Sequence, residues 1–210
     1  MTALLSGEET RAKIIAAAAK TLREEGIVGM SARSVARNGG FNQALIFYHF
    51  GSVDGLVAAT ALSEGGRRSS VYAERCGKIS TLKELVTVAR EVHDEEQKQG
   101  SVNILTQMLA GSSASPILRQ AIVDGMQPWM TLVEQAVTRV IGDSPLASLV
   151  PMTDAAFAIS SLFLGFELMT GADPDGARAN GLLDSIEKFA TAIETLLSIG
   201  LLPGLGKPPT

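Results

Sequence analysis

Residues 31–56 read SARSVARNGGFNQALIFYHFGSVDGL, and the fold is decided by how this stretch is parsed. Two short segments with helical apolar spacing, Ala32 to Arg37 and Asn42 to about Tyr48, flank Asn38-Gly39-Gly40-Phe41. Ser31 can cap the first segment, Asn42 the second, and Ser52 a further helix that starts at Val53. A sharp turn between two helices needs a residue tolerant of positive φ, followed by an apolar residue that locks the helices together. Gly40 and Phe41 fill those roles. The second segment is too short to be stable alone, so it must be held by the first and by Val35, Ala36, Ile46 and Phe50. A helix of that size fits a major groove about 12 Å wide. A generic helical hairpin has the same spacing, so the pattern alone leaves DNA reading open.

Working outward, almost every segment has three- and four-residue apolar spacing, and alternating strand-like stretches are missing. A first helix begins after Ser6-Gly7, with Glu8 and Glu9 in its first turn, and Gly26 stops it. The helix from Val53 reaches at least Ser63. Gly65-Gly66 lies within or at its end, leaving Arg67 to Arg75 as continuation or linker. Longer elements follow: Thr81 to Gln99, Val102 to Ala110, Pro116 to about Ile141 with a kink expected at Pro128, an apolar helix capped by Thr153, and Ala177 to Ile199. The run His93-Asp94-Glu95-Glu96-Gln97-Lys98 reads as a solvated helix end, and the tail from Leu202 as irregular.

The 210 residues are 46% apolar and 19% charged, too apolar for a disordered chain and enough for one or two domains. A mean hydropathy of +0.21 prompts a search for a membrane span. The best stretch, Ala155 to Met169, is short of the roughly 20 residues required and contains Glu167, so a buried core helix and no membrane partner are expected. Met1 to Leu5 lacks the basic start of a secretory signal, and a single cysteine, Cys76, suits a reducing cytoplasm. No catalytic constellation is found. His93-Asp94-Glu95-Glu96 lacks a second histidine, Cys76 has no histidine placed beside it, and Gly200 to Lys207 has the wrong spacing for a phosphate loop. A non-enzyme with no metal and no cofactor is expected.

The net charge of −4 argues against a polyanion partner until it is divided. Residues 1–60 hold six cations and five anions; the remainder holds 12 and 17. Any nucleic acid would therefore meet the N-terminal segment.

Residues 8–57 resemble the N-terminal domain of the tetracycline-repressor (TetR) family of transcriptional regulators. The resemblance is carried by Thr10-Arg11, Ile14-Ile15-Ala16-Ala17-Ala18, Gly26, Ser31 to Ala36, Gly40-Phe41-Asn42, the run Phe47-Tyr48-His49-Phe50, and Ser52 with Leu56. It implies an all-α fold: a three-helix helix-turn-helix DNA-binding domain over 1–52, joined by a linker helix to a larger ligand-binding and dimerisation domain over 53–210. Three positions depart from the family pattern. Val53 replaces a phosphate-meeting lysine, Gly39 replaces an alanine and should loosen the turn, and Gln43 replaces a lysine. A shallow salt dependence of DNA binding is expected, since each neutralised phosphate adds about 0.9 to the slope.

The DNA-binding candidates are Ser31, Arg33, Asn42, Gln43, Ala44, Tyr48 and His49. Gln43 can bond adenine through N6 and N7, and Ala44 or Leu45 can touch a thymine methyl, although Leu45 also suits packing. Asn42 is either the cap or a contact, and Tyr48 either a phosphate donor or half-buried packing. Ser31, Arg33 and His49 can donate to phosphates. An effector pocket after residue 80 is implied, with Met108, Met126, Trp129, Met130, Phe163, Phe166 and Glu167 as candidates, each of which also suits plain core. Glu167 is either an acceptor for a cationic ligand or an interface-edge residue. The expected partners are a double-stranded DNA operator, a small-molecule effector and a second copy bound through the last two helices. The function expected is a cytoplasmic, ligand-responsive repressor that binds a palindromic operator. The alternative is a degenerate relative that senses a ligand or partner without reading an operator.

Overall fold

The structure is a computed structural model describing residues 6–99, 101–142, 147, 150–173 and 175–199. Asp143-Ser144-Pro145 and the tail from Gly200 lie outside the described residues. Nine helices and no strand are found among the described residues: α1 Gly7–Glu25, α2 Ala32–Gly39, α3 Ala44–Phe50, α4 Val53–Lys78, α5 Leu82–Gln99, α6 Ser101–Ser112, α7 Pro116–Ile141, α8 Met152–Thr170 and α9 Ala177–Ser198.

The helix starts follow from side chains that satisfy orphan N–H groups. Ser6 and Glu9 form a reciprocal capping box at α1, the Ser6 hydroxyl accepting the Glu9 N–H at 3.2 Å while Glu9 Oε2 accepts the Ser6 N–H at 2.7 Å. Ser52 Oγ accepts the Gly55 N–H at 3.0 Å and opens α4. The cap expected at Thr153 is not used. Residue 151 is a proline with extended backbone, no side chain caps α8, and Thr153 already lies in the first turn.

The chain groups into two compact units, Met1–Arg67 with Gly100–Gln127, and Arg68–Gln99 with Pro128–Thr210. In the first, Ile14, Ala17, Ala18, Val35, Ile46 and Leu56 form the core under α1–α3. A second core joins Leu22, Val57, Ala58 and Ala61 to Ile104 and Met108 of α6 and Leu118 and Ile122 of α7. α4 does not break at Gly65-Gly66. A Cβ on Gly65 would stand 2.0 Å from the Gly125 carbonyl oxygen, so α4 and α7 cross backbone to backbone there.

In the second unit, Tyr72, Cys76, Ile79, Val92 and Ala136 form the core, flanked by Trp129 and Phe163. α9 lies along α5, tied by Arg90 to Asp184 at 2.6 Å and by the Lys83 N–H to Glu194 at 2.9 Å. α8 is not the buried core helix expected from its composition. Only a stripe through Ala156, Ser160 and Glu167 is buried, while Phe157, Leu162 and Met169 are exposed. By length and composition alone α8 could cross a membrane, but its Glu167 is buried against polar partners from α5.

Candidate functional site

The turn between α2 and α3 is built as its glycines require. Gly40 has φ 66° and ψ 44°, the left-handed conformation, with its N–H donating to the Ala36 carbonyl. Gly39 does not loosen the turn. A Cβ there would stand 2.1 Å from Cε1 of Phe41 and 2.8 Å from Cβ of Ala17, so the missing methyl is the space that the Phe41 ring occupies. Ile46, fully buried, pins α3 onto α1 and α2, and Leu45 and Phe50 pack beside it. Leu45 is therefore packing.

Arg11, 38 positions away in sequence, closes the other end of α3. Its Nη1 donates to the His49 carbonyl at 3.1 Å, and its guanidinium lies 4.4 Å from the centre of the Phe50 ring. A cation at a helix C-terminus satisfies an orphan carbonyl and opposes the negative end of the dipole. Sequence spacing assigned Arg11 no role, because nothing local marks this long-range contact.

The outer face of α3 presents Gln43, Ala44, Phe47 and Tyr48. Tyr48 is 83% exposed, so it is not half-buried packing, and its ring meets His49 edge-on at 4.9 Å. His49 itself is half-buried. Asn42 Oδ1 accepts the Ala44 N–H at 2.9 Å, and Gln43 already has helical angles, so Asn42 acts as the cap. Ser31 is similarly engaged: its Oγ accepts the Ser34 N–H at 3.1 Å. Arg33 is exposed with no ion pair or hydrogen bond to the described residues. Arg37 instead pairs with Glu25 at 2.6 Å, and this bond, then one from Asn38, holds the Glu25 carboxyl below its usual range. Phe47, half exposed beside Tyr48, was not singled out from sequence because an aromatic on a short helix reads as core.

The effector candidates fall in both compact units. Met108 is buried in the first unit's core and Met126 packs against it. Trp129, Phe163, Phe166 and Glu167 come together in the second, and Met130 packs with Val133, Val137 and Ala156. Trp129 and Phe163 line an apolar void of about 50 Å³, whose wall also includes Cys76, Val92 and Ser160. Burial pushes the Cys76 thiol up, which leaves it a poor nucleophile.

At one end of this interior lies a polar cluster that the sequence concealed. The run from His93 is solvated only in part: Asp94, Gln97 and Lys98 are exposed, but His93 is 5% and Glu96 1% exposed. Both continue the buried stripe of Leu85, Ala89 and Val92 at helical spacing, and only their charged identity made them look external. His93 Nδ1 meets Glu167 Oε1 at 2.7 Å, and Gln97 Nε2 donates to Glu167 Oε2 at 2.9 Å. Tyr72 donates its hydroxyl to Glu96 Oε1 at 2.9 Å; burial and then the Glu96 charge push that hydroxyl well up. Arg68 Nε stands 3.4 Å from the same oxygen without hydrogen-bond alignment, and its guanidinium lies 5.5 Å from the Trp129 ring centre. Three buried atoms here have no partner: Arg68 Nε, Glu96 Oε2 and Ser160 Oγ. Each such group costs about 1–3 kcal/mol until something pairs with it. Among the described residues no group of three histidine, cysteine or carboxylate side chains is placed to hold a metal ion.

Comparison with known proteins agrees with this geometry. The family model described as "Bacterial regulatory proteins, tetR family" matches residues 14–60. No curated protein matches the sequence. Among solved structures, Salmonella enterica GusR is similar with a TM-score of 0.69 at 16% identity, covering 90% of this chain and 97% of that one. The transcriptional regulator FadR from Bacillus subtilis, solved with stearoyl-CoA, has a TM-score of 0.66 at 15% identity over 85% of this chain and 96% of its own. The multidrug binding protein EbrR, solved with imidazole, has 0.60 at 22% identity over 85% and 94%. At these identities the likeness is one of fold. Residues 14–60 match the model of the tetR family of bacterial regulatory proteins, and the chain has the all-helical fold of its solved neighbours.

Proposed function

We propose that this protein is a cytoplasmic, ligand-responsive repressor of transcription that binds a palindromic operator as a dimer. The observation that carries the reading is the outer face of α3. Gln43, Ala44 and Tyr48 project from a helix fixed by Ile46 below and Arg11 at its end. Gln43 reads one base, Ala44 meets a thymine methyl, and Tyr48, Arg33 and the flanking Ser31 and His49 meet phosphates.

Two heads must act together, since operator half-sites lie about 34–36 Å apart or a multiple of that. The exposed apolar side chains of α8 and α9, including Phe157, Leu162 and Phe189, supply the dimer face. Effector bound within the second unit then favours a spacing of the two heads that no longer matches the grooves. It does so only to the extent that it binds the two states with different affinity.

The reading is tested by two substitutions. Gln43→Ala relaxes preference at one operator position by about 1–3 kcal/mol. Tyr48→Phe weakens every sequence alike. Equal losses across all sequences for both variants, measured by titration against a panel of single-base operator changes, contradict the assignment.

A second reading is favoured by the charge of the head: Arg37 is tied to Glu25, Arg11 to the end of α3, and residue 53 is valine. On that reading the protein senses a ligand without reading an operator. Absence of any sequence-specific retardation of DNA at low salt would select it.

A further inference from the structure

The inner side of α3 is complete without Phe47. Leu45, Ile46 and Phe50 pack into the core under α1–α3, whereas Phe47 is 51% exposed and is part of neither core of its unit. Counted from Gln43 at about 100° per residue, the exposed side chains fall at about 0° for Gln43, 40° for Phe47, 100° for Ala44 and 140° for Tyr48. Leu45, Ile46, His49 and Phe50 fall on the opposite side, between about 200° and 340°. Phe47 therefore lies inside the outward face, between Gln43 and Ala44, and Tyr48 at its margin.

A phenyl ring in that place offers a phosphate nothing, since it carries no hydrogen-bond donor. Against guanine, adenine or the amino group of cytosine it would strip water from base-edge donors and acceptors and return no bond. Thymine alone presents an apolar group in the major groove, its C5-methyl. The ring and that methyl bury apolar surface on both sides with no polar group left unpaired.

We infer that Phe47 is a specificity-determining residue that reads the C5-methyl of one thymine in each half-site. This rests on the proposal that α3 reads an operator, and adds a second thymine to the one met by Ala44. Phe47 stands one turn along α3 from Gln43, a rise of about 6 Å, so its thymine lies within about two base pairs of the adenine that Gln43 bonds.

The test uses the full chain and the duplex it enriches from random DNA, remade with deoxyuridine in place of one thymidine at a time in both half-sites. Uracil differs from thymine only in lacking the methyl group. Near the position relaxed by Gln43→Ala, one exchange is expected to weaken binding about fourfold per half-site, or about 15-fold for the pair, the worth of one methyl removed from water. Cytosine placed there should bind more weakly than 5-methylcytosine by the same factor, which separates the methyl from the rest of the base pair. Phe47→Ala should remove both differences, while the thymine met by Ala44 stays sensitive. Phe47→Leu keeps an apolar side chain and should retain part of them, and circular dichroism shows that each variant is folded. A duplex indifferent to uracil at every thymine, or a set of uracil effects unchanged in Phe47→Ala, overturns this inference and leaves operator reading standing. A selected pool no different from the input overturns operator reading, and this inference with it.

Discussion

Gly65→Ala is expected to destabilise the protein by about 3 kcal/mol, at the upper end of what overpacking costs. For a chain of this size that lowers the melting temperature by roughly 6–12 °C. Helix propensity alone predicts the opposite, a gain of about 1 kcal/mol for alanine over glycine inside a helix. The difference lies in what the new methyl meets. It would stand 2.0 Å from the Gly125 carbonyl oxygen and 2.7 Å from its carbonyl carbon, and backbone cannot rotate aside as a flexible side chain can. Gly66 is the internal control, because nothing lies within 4 Å of a Cβ built there. Gly66→Ala should leave stability unchanged or raise it. Thermal denaturation of both variants checks the pair, and an unchanged or raised melting temperature for Gly65→Ala would show that α4 and α7 do not touch at this point.

Leu162→Arg is expected to convert the proposed dimer to a monomer while leaving the fold intact. Leu162 is 74% exposed on α8, so an arginine there is unstrained in a single chain and costs only what it desolvates on association. Phe157 at 65% and Met169 at 72% lie on the same helix, and Phe189 at 67% on α9. Large apolar side chains gathered on an outer face in this way mark an interaction surface. An obligate interface buries about 2,000 Å² or more and tolerates no unpaired charge at its centre. Separated heads read one half-site each, so operator affinity should fall toward non-specific binding, by about a thousandfold or more. Light scattering gives the mass, circular dichroism the helix content, and fluorescence anisotropy the affinity. A variant that stays dimeric places the interface elsewhere.

Much of the architecture was legible because helix ends are written locally. Ser31, Asn42 and Ser52 mark starts, and Gly26 and Gly40 mark stops, at the positions the structure uses. Features that depend on distant partners were not legible. α4 continues through Gly65-Gly66 because Gly65 lies against Gly125, a contact with no local trace. Gly39 read as slack until Phe41 was seen filling its space. The reading head was the easier site, since α3 is short and its exposed face follows from placing Ile46 inside. The polar interior was missed for a physical reason: His93 and Glu96 sit on a buried stripe whose period matches Val92 and Ala89, but charged side chains are ordinarily external. Only partners from α4 and α8, Tyr72 and Glu167, show why they are tolerated inside.

The central claim is that α3 reads sequence as one half of a symmetric pair. Selection of bound molecules from random double-stranded DNA by the full chain at low salt tests it most directly. The account predicts enrichment of an inverted repeat with half-site centres about 34–36 Å apart or a multiple of that. Recovery of a pool no different from the input, with the protein folded and dimeric, would contradict it.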